Sequence, residues 1–386
     1  MSDLSDPSDP AKWLREQAGA MERALAELVA VNSFTENKDG GNEVGRRLEE
    51  LFAIPGLSAR RVASTKFADH LVFSAGSSTP KVALVGHLDT VFPPGTFEGF
   101  RRDGDLARGP GVLDMKGGLV VVAWALKALA ETGTLPSLRL VIVADEEVGS
   151  PEGQAVIREA TAGAESALVF EAGRKGDLVI TRRKGTGSVT LTAHGKAAHA
   201  GNAHKEGVNA VWALAKLVDR VQLLTDYARG VTVNVGKFTG GTSKNTVPDR
   251  AEALVDFRFE TRADGEALVA AMRAAADECA AAVPGARIEI GGGIARPPLE
   301  RTAASAALME AYGAAARASG LASGEAALIG GGSDASTTSA MGIASIDGLG
   351  PRGIGFHTHD EQIEIASLLM KAEALARFLA TLRAEA

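Results

Sequence analysis

The sequence predicts an α/β fold, a mostly parallel-sheet domain with helices on both faces, interrupted by an inserted α+β domain. Three observations predict it. The runs KVALVG (81–86), LRLVIVA (138–144) and SALVF (166–170) have the unbroken apolar texture of strands buried on both faces. A helical stretch at 115–131 separates the first two, and apolar strands alternating with helices make a parallel sheet. Near residue 178 the texture changes: VTVNVGKF and AEALVDFRFE alternate in polarity, as strands of a half-exposed sheet do.

The elements follow in order. Residues 11–31 read as one helix with Trp13, Met21, Leu25 and Leu28 on one side, and residues 43–53 as a second with Val44, Leu48 and Leu51. After the three apolar strands, segments 178–182, 187–194, 231–239 and 251–259 favour strands, with helices at 206–221 and 264–282. Past residue 297 the α/β texture returns, with helices at 302–318 and 365–384. The expected organisation is therefore a catalytic domain in two pieces, 1–180 and 297–386, flanking an inserted lid or dimerisation domain at 181–296.

Composition narrows the function. A chain of 386 residues suits about two domains. Its 45% hydrophobic and 23% charged content is that of an ordinary globular protein. A net charge of −7 without a long basic run argues against nucleic acid or an anionic membrane as partner. The single cysteine, Cys279, excludes an internal disulfide framework and a cysteine-rich zinc site, and in its alanine-rich stretch it reads as a small buried side chain. The polar, acidic start MSDLSDPSDPAKWLREQ lacks the apolar core of a signal peptide, and no run of about 18 apolar residues occurs. A cytoplasmic protein is expected.

Five segments place acids or histidines where strands should end: GHLDT (86–90), GPGVLDMKGG (109–118), ADEEVGS (144–150), FEAGR (170–174) and GFHTHDE (355–361). Strand C-termini of a parallel sheet share one edge, where α/β proteins bind ligands. His87, Asp89, Asp114, Glu146, Glu147, Glu171 and His357 are thereby expected to converge. Any one of these acids alone reads as a helix cap or loop residue, and His-x-Asp alone is a weak signal. Histidines and carboxylates without cysteine suit zinc first among divalent cations. A pair of metals sharing one bridging carboxylate needs five protein ligands, and the inventory matches if Asp114 bridges. One acid is then left to take a proton from water, and the adjacent Glu146 and Glu147 offer that division of labour. The glycine-rich GGTSKN (240–245) and GGGSDAS (330–336) lack the Gly-Lys-Ser/Thr end of a phosphate loop.

In this combination the motifs resemble those of the M20 metallopeptidase family of co-catalytic zinc aminoacylases and carboxypeptidases, most closely the carboxypeptidase G2-type glutamate carboxypeptidases. The resemblance spans nearly the whole chain. It implies two zinc ions per subunit, with cobalt or manganese as substitutes, one held by His87 and Glu171, the other by Glu147 and His357, with Asp114 between them. It makes Glu146 the general base and Asp89 the carboxylate that orients His87. It implies a cis peptide at Asp114–Met115. The family pattern His-Thr-x-Asp-Glu selects His357 over His359. GKAAHAG (195–201) resembles the segment whose histidine, here His199, reaches the active site of the other subunit in a homodimer built through the inserted domain. His194 and His204 fall outside that pattern. Asn245, Arg258 and Arg296 resemble substrate contacts, Arg296 being the partner of a substrate carboxylate, and the GGGSDAS segment with Gly331 and Gly332 resembles the backbone lining the substrate's C-terminal side.

The activity so implied is hydrolysis of the amide bond of a small N-acyl amino acid or peptide, releasing a C-terminal glutamate-like residue. The alternatives are a deacylase of the acetylornithine or succinyl-diaminopimelate type and a metal-free binding homologue. The last should have lost a ligand or the base, and both are present in the sequence.

Overall fold

The computed structural model describes residues 9–133 and 135–382. The acidic start up to residue 8 and the last two residues of the expected 365–384 helix lie outside the described residues. The chain divides into two compact units. The first is formed by the described residues of Met1–Arg182, Arg301–Leu328 and Ser333–Ala386; the second comprises Arg183–Glu300 and Ile329–Gly332. The second unit thus extends past the expected boundary at 296 and takes in a stretch assigned by sequence to the returning piece. The cause is backbone pairing: Arg183 and Leu299 exchange both hydrogen bonds, and Lys184 N–H donates to the Ile329 carbonyl at 2.9 Å.

The first unit is built on a six-stranded sheet with the order Ser58–Val62, His70–Ala75, Leu138–Val143, Val82–His87, Ser166–Val169, Ala344–Ile346. The last four strands run parallel to one another, and His70–Ala75 pairs antiparallel with both of its neighbours. Every residue of Val82–His87 is buried, because successive side chains point to opposite faces and both faces are covered. Val82, Leu84 and Leu168 join the large core with helices Lys116–Glu131 and Ile365–Thr381, while Ala83 and Ala167 pack with Ala164 and Ile343 in a smaller cluster.

The long helix expected over 11–31 is two helices, Pro10–Arg15 and Ala18–Val29, parted by a turn at Glu16–Gln17. The short first helix is fastened separately: Arg15 pairs with the buried Glu373 at 3.0 Å, and Asp9 with Arg377 at 2.9 Å. Segment 178–182 forms no strand. Val179 and Ile180 make single bridges to Glu325 and Asp347, two different neighbours, so no ladder propagates. A second small sheet, of order Gly353–Ile354, Gln362–Glu364, Leu106–Arg108, Arg101–Asp103, was not expected. Among the described residues no helix is long and apolar enough to cross a membrane.

The second unit is an antiparallel sheet of order Thr232–Gly240, Arg250–Phe259, Gly185–His194, Arg287–Arg296. Helices Ala210–Gln222 and Arg262–Ala281 pack on it, capped by Asn209 and Thr261 side chains. In Arg250–Phe259 the residues Ala251, Ala253, Val255, Phe257 and Phe259 are buried in the helix-covered core, while the alternate positions remain partly or fully exposed. Cys279 is buried in this core.

Candidate metal centre

Three neighbouring parallel strands, Leu138–Val143, Val82–His87 and Ser166–Val169, end on one edge and deliver ADEEVGS, GHLDT and FEAGR there. The other two segments arrive differently. GPGVLDMKGG follows Leu106–Arg108, and GFHTHDE joins Gly353–Ile354 to Gln362–Glu364, so both come from the small sheet and not from ends of the parallel one. The antiparallel pairing of Gln362–Glu364 with Leu106–Arg108 is what brings those two loops together.

Ligand atoms of His87, Asp114 and Glu171 all lie within 4.8 Å of one another, as do those of Asp114, Glu147 and His357. His87 Nε2 is 3.2 Å from Asp114 Oδ1 and 3.8 Å from Glu171 Oε1. His357 Nε2 is 3.3 Å from Asp114 Oδ2 and 3.1 Å from Glu147 Oε2. The two oxygens of Asp114 thus face different histidines. The Asp114–Met115 peptide is cis, and His357 has a positive φ of 63°. His359 lies elsewhere: its ring stacks on Phe97, with centroids 5.4 Å apart.

The electrostatics are those of crowded acids. Burial pushes the Glu147 carboxyl up to about 8, with His357 opposing and Asp114 adding to the rise. Burial, then the charge of Asp114, also holds Glu171 well above the usual carboxylate range. Burial would raise Asp114 too, but His357 and His87 outweigh it and hold it low. Asp114 and Glu147 raise His357 to about 10; burial opposes the rise of His87, which Asp114, Asp89 and Glu171 together still drive well upward. Glu147 Oε1 is buried with no hydrogen-bond partner among the described residues. Two imidazoles and three carboxylates facing one another, with an orphaned oxygen among them, fit a pair of divalent cations, and the thiol-free donor set suits zinc, cobalt or manganese.

Asp89 contacts more than His87. His87 Nδ1 lies 3.0 Å from the Asp89 backbone carbonyl and 3.4 Å from its carboxylate. The carboxylate also accepts the backbone N–H groups of Glu146 and Glu147, each at 3.2 Å, and the Thr35 hydroxyl at 2.8 Å. One buried acid therefore fixes the turn bearing both tandem glutamates. Thr35 escaped the sequence reading, because nothing in SFTEN marks it. The half-buried Glu146 sits at this turn, close enough for its charge to raise both Glu147 and Glu171.

In the second unit, His199 and Thr246 pair across a two-stranded ribbon, and the Asn245 carbonyl accepts from Ala200 N–H at 2.9 Å. His199 and Asn245 are thus neighbours. His199 Nδ1 accepts from the N–H groups of Gly201 and Asn202, at 3.1 and 3.0 Å. A neutral ring so held carries its proton on Nε2. Arg258 and Arg296 both register with Thr186, from opposite sides. Arg258 is held by Asp256 through two 2.9 Å hydrogen bonds, whereas Arg296 is only 4% exposed and its side chain fills the space where a Cβ on Gly332 would sit. Arg183, which sequence reading passed over, is buried and donates to the Gly331 carbonyl at 3.2 Å. Nothing within 4 Å would meet a Cβ at Gly331. His194 pairs with Glu289 and His204 lies in a short turn.

Residues 181–283 match the peptidase dimerisation domain of the M20 proteins. Carboxypeptidase G2 of Pseudomonas sp. is 28% identical over 378 residues, covering 96% of this chain and 91% of that protein. A succinyl-diaminopimelate desuccinylase of Acidiphilium cryptum is 31% identical over 296 residues, covering 69% and 74%. Among solved structures, aminopeptidase PepT of Bacillus cereus superposes with a TM-score of 0.79 at 23% identity, covering 95% of this chain and 98% of that one.

Proposed function

The chain belongs to the M20 family of metallopeptidases, hydrolases of amide bonds, and from that premise we propose that it is a two-metal enzyme releasing a glutamate-like residue from a small N-acyl amino acid or peptide. The observation that carries the reading is the pair of ligand triads sharing Asp114 beside the Glu146–Glu147 turn. His87, Asp114 and Glu171 would hold one cation, and Asp114, Glu147 and His357 the other, zinc first. Cations so bound polarise a carbonyl and acidify water near neutral pH.

The chain's own groups do the rest. Glu146 takes a proton from the attacking water and returns it to the departing amine nitrogen. Asp89 keeps base and ligand in register by gripping both their amides. His199 offers its Nε2–H to the oxyanion of the tetrahedral adduct, each subunit of a homodimer serving the other. Arg296 receives a carboxylate of the leaving residue, with Asn245, Arg258 and the Gly331–Gly332 backbone as further substrate contacts. The homodimer is supported by the dimerisation-domain match, by the edge position of Thr232–Gly240, whose outer side near Val233 and Val235 is bonded to the Thr225 and Gln222 side chains and pairs with no further strand among the described residues, and by exposed apolar side chains on the same unit, Trp212 at 53% and Phe238 at 40%.

A second reading, an N-acyl amino acid deacylase, is favoured by the likeness to the desuccinylase. Zinc-loaded protein assayed on folyl- and benzoyl-glutamate, acetylornithine and succinyl-diaminopimelate separates the two. Preferred cleavage of the glutamate conjugates supports the first reading, and preferred cleavage of either acyl diamino acid supports the second. No hydrolysis by protein carrying two metals would sink both.

A further inference from the structure

The small sheet brings a second buried carboxylate against the metal centre, and nothing in the proposed chemistry uses it. Glu361 is fully buried. Its Oε1 accepts the backbone N–H groups of Leu113 and Asp114, at 2.8 and 3.0 Å, and its Oε2 accepts that of Gly111 at 3.1 Å. Its own carbonyl accepts from Gly109 N–H at 3.4 Å. The loop gripped in this way ends at the residue that faces both histidines.

Glu361 also closes the turn that carries His357. Its N–H donates to the Thr358 carbonyl, and Thr358 N–H donates to Gly355. Gly355 has φ +81°, and a Cβ there would meet the Asp360 carbonyl at 2.5 Å, so the turn is tight and its glycine obligatory. A single residue therefore ties two ligand loops some 240 residues apart in sequence, its carboxylate holding one and its backbone closing the other, and His357 Nε2 reaches Asp114 Oδ2 at 3.3 Å across that span.

We propose that Glu361 is a positioning residue of the metal centre: its carboxylate, by accepting three amides of the 109–114 loop, sets Asp114 against His357 and so governs occupancy of the second cation site. A carboxyl side chain can present an acceptor oxygen to each side of this loop at once. A glutamine in its place would turn an N–H₂ toward either Gly111 N–H or the Leu113–Asp114 pair, and at least one amide would lose its acceptor. The inference rests on the two-metal reading, and cobalt binding tests the two separately.

Metal-free wild-type protein titrated with Co²⁺ should bind two equivalents with visible absorption bands; if it binds none, the two-metal reading itself fails. Glu361→Gln should keep the first equivalent, bind the second about 10- to 100-fold more weakly, and show altered visible bands. Its kcat should fall with little change in KM. Glu373→Gln, which removes a buried acid paired with Arg15 elsewhere in the same unit, is the control for lost stability and should leave the cobalt spectrum untouched. Two normally bound equivalents with an unaltered spectrum in Glu361→Gln would overturn the proposal, even if the protein melted earlier. Should that variant not fold, Glu361→Asp is read in the same way. Failure of both to fold also overturns it, since the residue would then serve the fold and not the site.

Discussion

The metal centre of the first unit and the polar residues of the second are built to different standards. In the first, His87, Asp114 and Glu171 are buried, and the backbone around the ligands is gripped by further carboxylates, Asp89 on the Glu146–Glu147 turn and Glu361 on the loop of Asp114. In the second, His199 and Asn245 are exposed and held by local turn contacts, and Arg258 is occupied by its neighbour Asp256. The first is preorganised by its own fold at the expense of crowding like charges, which a cation relieves. The second holds His199 and Asn245 in solvent by contacts within their own turns. Damage to the ligands of the first should therefore appear in metal content and stability, damage at the exposed His199 of the second in kinetics alone.

The largest effect is expected at Asp114, the one side chain shared by both triads. Asp114→Asn should lose both cations by elemental analysis and reduce hydrolysis to background. The wild-type melting temperature should rise on adding zinc, since a ligand at about 1,000 times its Kd stabilises by about 4 kcal/mol, and the variant should show no such rise. Retention of two metals by Asp114→Asn would erase the contrast between the two regions.

Glu146→Gln cuts inside the first region. It should keep both metals and the zinc-dependent rise in melting temperature, yet lose turnover by about 10²-fold or more. Glu147→Gln should instead weaken one metal. Near-normal kcat in fully loaded Glu146→Gln would mean that base and ligand are assigned the wrong way round.

Where the sequence was legible follows from the same physics. The strand VALVGH carries its own signal: an apolar run buried on both faces that ends at His87, with Asp89 two residues beyond it. GHLDT, ADEEVGS and FEAGR were placed by that signal. Asp114 and His357 were not, because the strands that carry their loops are two or three residues long, too short for any period to show. Apart from the family resemblance, their convergence rests on treating them as further ends of the parallel sheet, which they are not. The break at Glu16–Gln17 was invisible for the opposite reason: Trp13, Met21, Leu25 and Leu28 read as one helical stripe straight through it, whereas the structure buries Leu14 and leaves Trp13 partly exposed. Glu361 was in plain view as the last letter of a motif, yet a buried acceptor of three amides looks in sequence like any surface glutamate.

His199 tests the second region. His199→Ala should leave metal content and melting temperature unchanged and lower kcat by roughly 10²-fold, the usual loss of one oxyanion donor. Mixing it with Glu146→Gln sharpens the test. If the histidine serves the other subunit, one site of each mixed dimer has both defects and the other has neither, so activity should return. No recovery despite proven subunit exchange would assign His199 to its own chain or to no site.

The smallest effects, and the finest comparison, lie between the two arginines registered on Thr186. Arg296 is buried, so a substrate carboxylate meeting it is shielded from water, and a charge-assisted pair of that kind is worth about 1.5–3 kcal/mol. Arg296→Ala should lower kcat/KM for a glutamate-ended substrate by about 10- to 100-fold, and far less for the amidated analogue. Arg258 already has a carboxylate at 2.9 Å, with both side chains partly exposed. Binding substrate there exchanges one anion for another, and an exposed pair contributes at most about 1 kcal/mol. Arg258→Ala should therefore change KM by no more than about 3-fold, and Asp256→Asn, which releases the guanidinium, should lower KM slightly where Arg258→Ala raises it. A tenfold loss at Arg258, equal to that at Arg296, would show that the ion pair opens on binding and that the exposed arginine matters as much as the buried one.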